Sequence, residues 1–254
     1  MSWGTRRRNT IITLFFFIVI AIVGWVLYDA LYEPPNCFDG KFNGDEVNID
    51  CGGSCALRCE SQVLNPIIHW ARSFEVSPGV YNVLAYVENP NIDSGIESIP
   101  YRFRVYDEDN VLLQERRGST SILPKSVIPI LENTLPVGQL DATRVTFEFT
   151  EPFVWYKQEL QDNLIVVQDE QISRLEDSPR IRATIKNTGI APIKDLKVIA
   201  IVYDLNNNAM ASSQTILNTV PANQNMEIFY AWPKPFASEM SRFELIPMYD
   251  RSGK

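Results

Sequence analysis

All four cysteines of this 254-residue chain lie in one short stretch, at Cys37, Cys51, Cys55 and Cys59, interleaved with acidic and amide side chains. Sulfur so clustered either closes disulfides or, as thiolate, holds a metal. The spacing C-x3-C-x3-C lacks the paired C-x2-C of structural zinc sites, and His69, the single histidine, lies outside the cluster. Two disulfides are therefore expected, with zinc as the rival, and all three pairings stay open. A segment this short buries too little apolar surface to hold itself together, so covalent closure supplies what a core cannot.

The oxygen-bearing side chains of the same stretch allow a second chemistry. Asp39, Asn43, Gly44 and Asp50 fall at positions 1, 5, 6 and 12 of an EF-hand-like loop, with Asp45 and Glu46 beside them. Asp39, Asn43, Asp45, Glu46 and Asp50 are thus candidate calcium ligands, and calcium is the only cofactor in view. Lys41 stands where the third position needs oxygen, and Asp50 is shorter than the usual bidentate Glu. The competing account makes these residues turn formers between crosslinks, and it takes precedence.

The stretch Cys37-Phe-Asp-Gly-Lys-Phe-Asn-Gly-Asp-Glu-Val-Asn-Ile-Asp-Cys-Gly-Gly-Ser-Cys55 resembles the element C-x-D-G-x-x-N-G-x-E-x-x-x-D-C-G-G-x-C. That element recurs in exported and cell-surface proteins, and all its framework positions are present here. The resemblance covers this knot alone.

Nucleophilic catalysis finds little footing. A Ser-His-Asp or Cys-His arrangement would need His69, yet Ile67-Ile68-His69-Trp70 reads as an opening strand. Asp107 and Glu108 sit where a hairpin turn is expected, and no phosphate-cradling glycine loop or zinc-protease signature occurs. No catalytic residue is assigned.

What positions the knot is an apolar run from Ile11 to Leu27, preceded by Arg6, Arg7 and Arg8 and closed by Tyr28 and Asp29. It has the length of a membrane-crossing helix, with Trp3, Trp25, Tyr28 and Tyr32 as interfacial anchors. The arginines favour a cytoplasmic N-terminus and an extracytoplasmic body. A cleaved signal peptide is the alternative, but Tyr28 and Ala30 make a poor small-residue cleavage site. The expected organisation is a cytoplasmic tail at 1–9, a transmembrane signal anchor at 10–29, a Cys-rich segment at 30–61, and sandwiches at 62–152 and 153–254. The net charge is −8; the first 32 residues hold three arginines against Asp29, a net of +2, which leaves −10 beyond them. Nucleic acid is a poor partner for such a body.

Downstream, short alternating segments such as Tyr101-Arg-Phe103-Arg-Val105-Tyr and Val145-Thr-Phe147-Glu-Phe149 alternate with Pro, Asn and Gly, the pattern of β-sandwiches. Motifs recur. Val83-Leu-Ala-Tyr-Val-Glu-Asn89-Pro90 is echoed by Ile181-Arg-Ala-Thr-Ile-Lys-Asn187-Thr-Gly189, and Tyr106-Asp107 with Asn110 by Tyr203-Asp204 with Asn207. The offset is 97 to 98 residues, about one immunoglobulin-like unit. The expected fold is mainly β: one transmembrane helix, a small Cys-rich segment and two tandem immunoglobulin-like sandwiches.

Ala183-Thr-Ile-Lys-Asn187-Thr-Gly189, Leu196-Lys-Val-Ile-Ala-Ile-Val-Tyr203-Asp204 and a Pro-led segment ending in Ile228-Phe229 resemble the FxLYD and LEA14-like modules of prokaryotic surface proteins. The leading Phe-x-Leu is not kept. With Tyr81–Asn91 and Tyr101–Asp107, the chain also resembles single-anchor membrane proteins of small-genome bacteria. These resemblances imply architecture and location and bring no catalytic residues.

Binding is the better expectation. The loops Asn89 to Glu97 and Thr188 to Lys194 would sit at equivalent sandwich ends, and Trp155, Tyr156, Tyr230 and Trp232 would form an exposed patch or pack at the domain junction. Pro152 to Lys157 would end the first sandwich. The function expected is non-enzymatic: a structural or adhesive, protein-binding role at the cell envelope, held in the membrane by the helix. An accessory subunit of a secretion or pilus-like assembly is the alternative, and a calcium-dependent module a third.

Overall fold

The computed structural model describes residues 3–32, 34–159 and 162–249. Of the expected segments, Met1 and Ser2 of the tail, Glu33 before the knot, and 160–161 and 250–254 of the second sandwich lie outside the described residues. Helix α1 (Trp3–Leu31) overruns the expected span at both ends, because Ala, Leu and Arg continue a helix at little cost. Among the described residues, its stretch from Arg7 to Leu31 finds no packing partner. At about 1.5 Å per residue, those 25 residues reach about 37 Å, more than a hydrocarbon core needs.

The remainder is antiparallel sheet. The first sandwich comprises β1 (Ile67–Ser77), β2 (Val80–Asn89), β3 (Ser94–Tyr106), β4 (Leu112–Ile122), β5 (Ser126–Pro136) and β6 (Arg144–Phe149). Sheet β1-β2-β5 faces sheet β4-β3-β6. The second comprises β8 (Ile165–Ser173), β9 (Arg180–Asn187), β10 (Ile193–Asp204), β11 (Ala209–Val220), β12 (Asn225–Ala231) and β13 (Met240–Met248). Sheet β12-β9-β8 faces sheet β11-β10-β13. The strand order of the two halves is the same, and both are immunoglobulin-like.

Alternation decides which side chains meet inside. On β3, Tyr101, Phe103 and Val105 point inward beside Phe147, while Arg102 and Arg104 point outward and pair with Glu148 and Glu115. A short strand, β7 (Tyr156–Lys157), pairs with Ser94 and Gly95 of β3. The first sandwich therefore runs past the expected boundary at 152. Pro152 lies in the connection between β6, which ends at Phe149, and β7, and as a residue without an N–H it imitates a domain end.

The junction between the sandwiches is a third apolar cluster of Phe74, Leu84, Leu131, Ile199, Ile201, Tyr203 and Ala209. It exists because β2 and β10 are buried on both faces. Val83, Ala85 and Val87 fill the first core while Leu84 turns the other way; Val198, Ala200 and Val202 fill the second while Ile199 and Ile201 turn back. Each such aliphatic side chain contributes about 1.5–3 kcal/mol on full burial. Asn82 donates to the Ser212 carbonyl on β11, and Tyr86 donates to Glu244 on β13. Moving along β2 thus crosses the second sheet from one edge to the other, the steep crossing of orthogonally packed sheets. The body formed by the two sandwiches is four sheet layers deep.

Candidate binding surfaces

The Cys-rich knot closes through Cys37–Cys55 and Cys51–Cys59, so all four sulfurs are oxidised and none offers a thiolate to zinc. Between the crosslinks, polar side chains hold the backbone. Asp50 accepts the N–H groups of Asp39 and Gly40, and Asp39 accepts from Lys41 N and Asn43 Nδ2. The Asn43 carboxamide and then the Lys41 amide hold the Asp39 carboxyl below its ordinary range. Glu46, buried against the Cys37–Cys55 bridge, accepts Asn43 N at 3.1 Å. Asp45 turns away to accept Ser54 Oγ. Gly53, at φ 57°, cannot carry a side chain, because a Cβ would lie 2.1 Å from the Asp45 carbonyl oxygen.

Asp39, Asn43 and Asp50 therefore meet around one loop, whereas Asp45 and Glu46 serve separate contacts. Among the described residues, the only close group of metal-ligating atom types is Cys37, Glu46 and Cys55, and two of its three members are spent in a disulfide.

The knot is docked, not dangling. Leu57 bridges to Tyr156, Arg58 N donates to the Trp155 carbonyl, and Lys157 N donates to the Ala56 carbonyl. Arg58, with its side chain 14% exposed, pairs with Asp93. Asn91 exchanges two bonds of 2.8 Å with the backbone of Leu64. These contacts correct the expectation of a free loop at Asn89 to Glu97: the knot and the chain leaving it cover its base, and Ile92 remains outside. The equivalent segment, Thr188 to Lys194, is held by Thr188 on the Leu164 carbonyl, by Asn187 on Gly189 N and the Ala191 carbonyl, and by Ile193 and Lys194 pairing with β11, which leaves Ile190 97% exposed at its tip.

The aromatic patch is also corrected. Trp155 belongs to the first core, and Tyr230 and Trp232 to the second; only Tyr156 is partly open. Alternation along β12 turns Tyr230 inward, and Trp155 packs beside Phe153. The junction is instead lined by Trp70, Phe74, Tyr86 and Tyr203, with Trp70 and Tyr86 stacked 5.2 Å apart. Glu244 there accepts Tyr203 Oη at 3.0 Å and pairs with Arg242, whose guanidinium lies 3.8 Å over the Tyr203 ring. Burial, then Glu244, pushes the Tyr86 and Tyr203 phenols up from their ordinary value.

His69 lies on β1, exposed and 2.7 Å from Glu88. Asp107 is the turn residue expected, accepting Asp109 N and Val111 N, and Asp204 accepts Asn206 N and Asn208 N in the same way. Both work as backbone acceptors.

An open groove of about 530 Å³ lies where the two sandwiches meet, and no local motif marks it. Its floor is Ile128, Ile130, Ile246 and Met248, and its rim carries Lys125, Asn163, Asp195 and Lys197. It forms only when β5 and β13, more than a hundred residues apart, are brought together. An apolar floor under a mixed-charge rim suits a peptide or protein surface better than a phosphate.

No protein-family model matches this chain, and neither does any curated protein. Among solved structures, it is similar to red sea bream transglutaminase at 11% identity and a TM-score of 0.26, over 72% of this chain and 29% of that one. It is similar to a β-glucuronidase of glycoside hydrolase family 2 at 14% identity and a TM-score of 0.23, over 70% and 23%. A Bacteroides uniformis β-glucuronidase follows at 12% and 0.23, over 63% and 22%. The chain spans less than a third of each, and at this level of likeness nothing passes from those enzymes to it.

Proposed function

We propose that this chain is a non-enzymatic, single-pass envelope protein with a structural or adhesive, protein-binding role on the extracytoplasmic side of the membrane. The observation that carries the reading is the junction cluster around Leu84, Ile199 and Ile201. It joins two sandwiches into one body, and the hydrogen bonds of Leu57 and Arg58 join the knot to that body. A rigid ectodomain six residues from an apolar helix holds a binding surface at a fixed height, which is what a spacer or adhesin needs. The groove under Lys125 and Lys197 and the exposed Ile190 tip of the Thr188 to Lys194 turn are the surfaces assigned to the partner.

Two disulfides support an oxidising compartment, and Arg7 and Arg8 before the apolar stretch support a cytoplasmic N-terminus. The common strand order supports reading the halves as a tandem repeat.

Crosslinking in intact cells, with the body carried by its own or by an unrelated anchor, tests this function. The same partner should be captured with either anchor. Capture lost on changing the helix overturns the adhesive role in favour of an accessory subunit of an envelope secretion or pilus-like assembly. Protease added outside unbroken cells should remove the body.

A further inference from the structure

Two phenylalanines of the knot are turned to the outside, Phe38 at 85% and Phe42 at 66% exposure. The loop that carries them is closed by Cys37–Cys55, and its backbone is pinned by Asp50 accepting Asp39 N and Gly40 N and by Asp39 accepting Lys41 N. The knot docks on the first sandwich through its other end, at Leu57 and Arg58.

What covers the two rings is indicated by where the chain comes from. Helix α1 ends at Leu31, and Cys37 follows six residues later, a reach of at most about 20 Å even fully extended. Tyr28 and Tyr32 stack at 5.0 Å on that helix end, the ring types found at the headgroup level of a bilayer. The carboxylates nearest the rings already accept N–H donors, and the knot has no cluster of basic residues to seek anionic lipid. Resting on the reading of α1 as a membrane anchor, we propose that the knot lies on the membrane, with Phe38 and Phe42 entering the interfacial zone of a zwitterionic leaflet. The knot would then fix the tilt of the whole ectodomain, which one helix alone leaves free.

The full chain reconstituted in phosphatidylcholine nanodiscs, with a fluorinated phenylalanine at position 16, 38, 42 or 229, tests this by 19F relaxation. One arm uses spin-labelled lipid and the other a water-soluble paramagnetic agent. Positions 38 and 42 should broaden with the lipid label and lose broadening by the soluble agent, as position 16 does, while Phe229, exposed on the second sandwich, keeps it. Adding anionic lipid should not deepen the effect. If position 16 is not shielded by lipid, the anchor reading itself falls. If it is shielded but 38 and 42 behave like 229, the contact proposed here is wrong. If they are hidden from both agents, a protein covers them and the proposal is overturned.

Discussion

Asn89 and Asn187 close the same turn in the two sandwiches with the same three hydrogen bonds. Asn89 Nδ2 donates to the carbonyls of Ser94 and Leu123, and its Oδ1 accepts Asn91 N. Asn187 Nδ2 donates to the carbonyls of Ala191 and Val220, and its Oδ1 accepts Gly189 N. Both side chains are buried, at 1% and 0% exposure, so water cannot replace either one. The asparagine that looks like an ordinary turn former is a plug between two sheets.

Replacing either plug by alanine leaves two carbonyls and one N–H without partners, and each orphaned group costs about 1–3 kcal/mol. We expect Asn89→Ala and Asn187→Ala each to lower stability by about 3 kcal/mol, read as a fall in the urea midpoint of the full chain in detergent. A loss under about 1 kcal/mol would show that the turns hold without the plug.

The junction offers a second test. Ile199 and Ile201 on β10 occupy the positions that Arg102 and Arg104 hold on β3, 97 residues earlier, and Leu84 on β2 corresponds to Arg182 on β9. Arginine marks the outer faces of the stack, and leucine or isoleucine the inner ones. Ile201→Arg should therefore put an unpaired charge into the junction at a cost of about 4 kcal/mol or more. Calorimetry should then resolve two melting transitions where the parent shows one. Arg104→Ile, on an outer face, should leave the single transition in place.

These positions show where the sequence was legible. Alternation at Tyr101, Phe103 and Val105 gave the strands and their inward face, because a half-exposed strand writes its burial with period two. The double-faced strands wrote a different signal, the unbroken runs Val83 to Val87 and Val198 to Tyr203, which periodicity alone does not assign to a junction. Arg58 with Asp93, and Ile128 with Ile246, depend on how separately folded units dock, and local pattern carries no trace of that. The knot was legible in composition and not in pairing: Cys37 with Cys55 is one of three choices that spacing leaves equal.

The junction should also answer to pH. Burial raises the Tyr86 and Tyr203 phenols above their ordinary value of 10.0, so folding favours their neutral form. Stability from that preference is complete below pH 10 and is lost as pH rises toward the folded values. The junction should weaken above pH 10. Tyr203→Phe keeps a ring beneath Arg242 but has nothing to ionise, and should flatten the alkaline fall in melting temperature. An equal fall in parent and variant would locate the alkaline sensitivity elsewhere.

In the knot, Asp50 separates two accounts of the same carboxylate. It has φ 56°, a left-handed conformation that asparagine also tolerates, so Asp50→Asn changes the acceptor and spares the backbone. One oxygen becomes an NH2 group facing N–H donors that the carboxylate accepted at 3.0 and 3.1 Å. A charge-assisted hydrogen bond is worth about 1.5–3 kcal/mol, so the Asp39 and Gly40 amides should exchange with solvent about 10- to 100-fold faster in the variant. If Asp50 works only as a backbone acceptor, stripping calcium with a chelator leaves exchange in the parent unchanged. If Asp39, Asn43 and Asp50 gather around calcium instead, the chelator reproduces the variant in the parent, and added calcium slows exchange again. The hydrogen bonds already made to Asp39 and Asp50 favour the first result, because a cation would have to compete with N–H groups that the disulfide-closed loop holds in place.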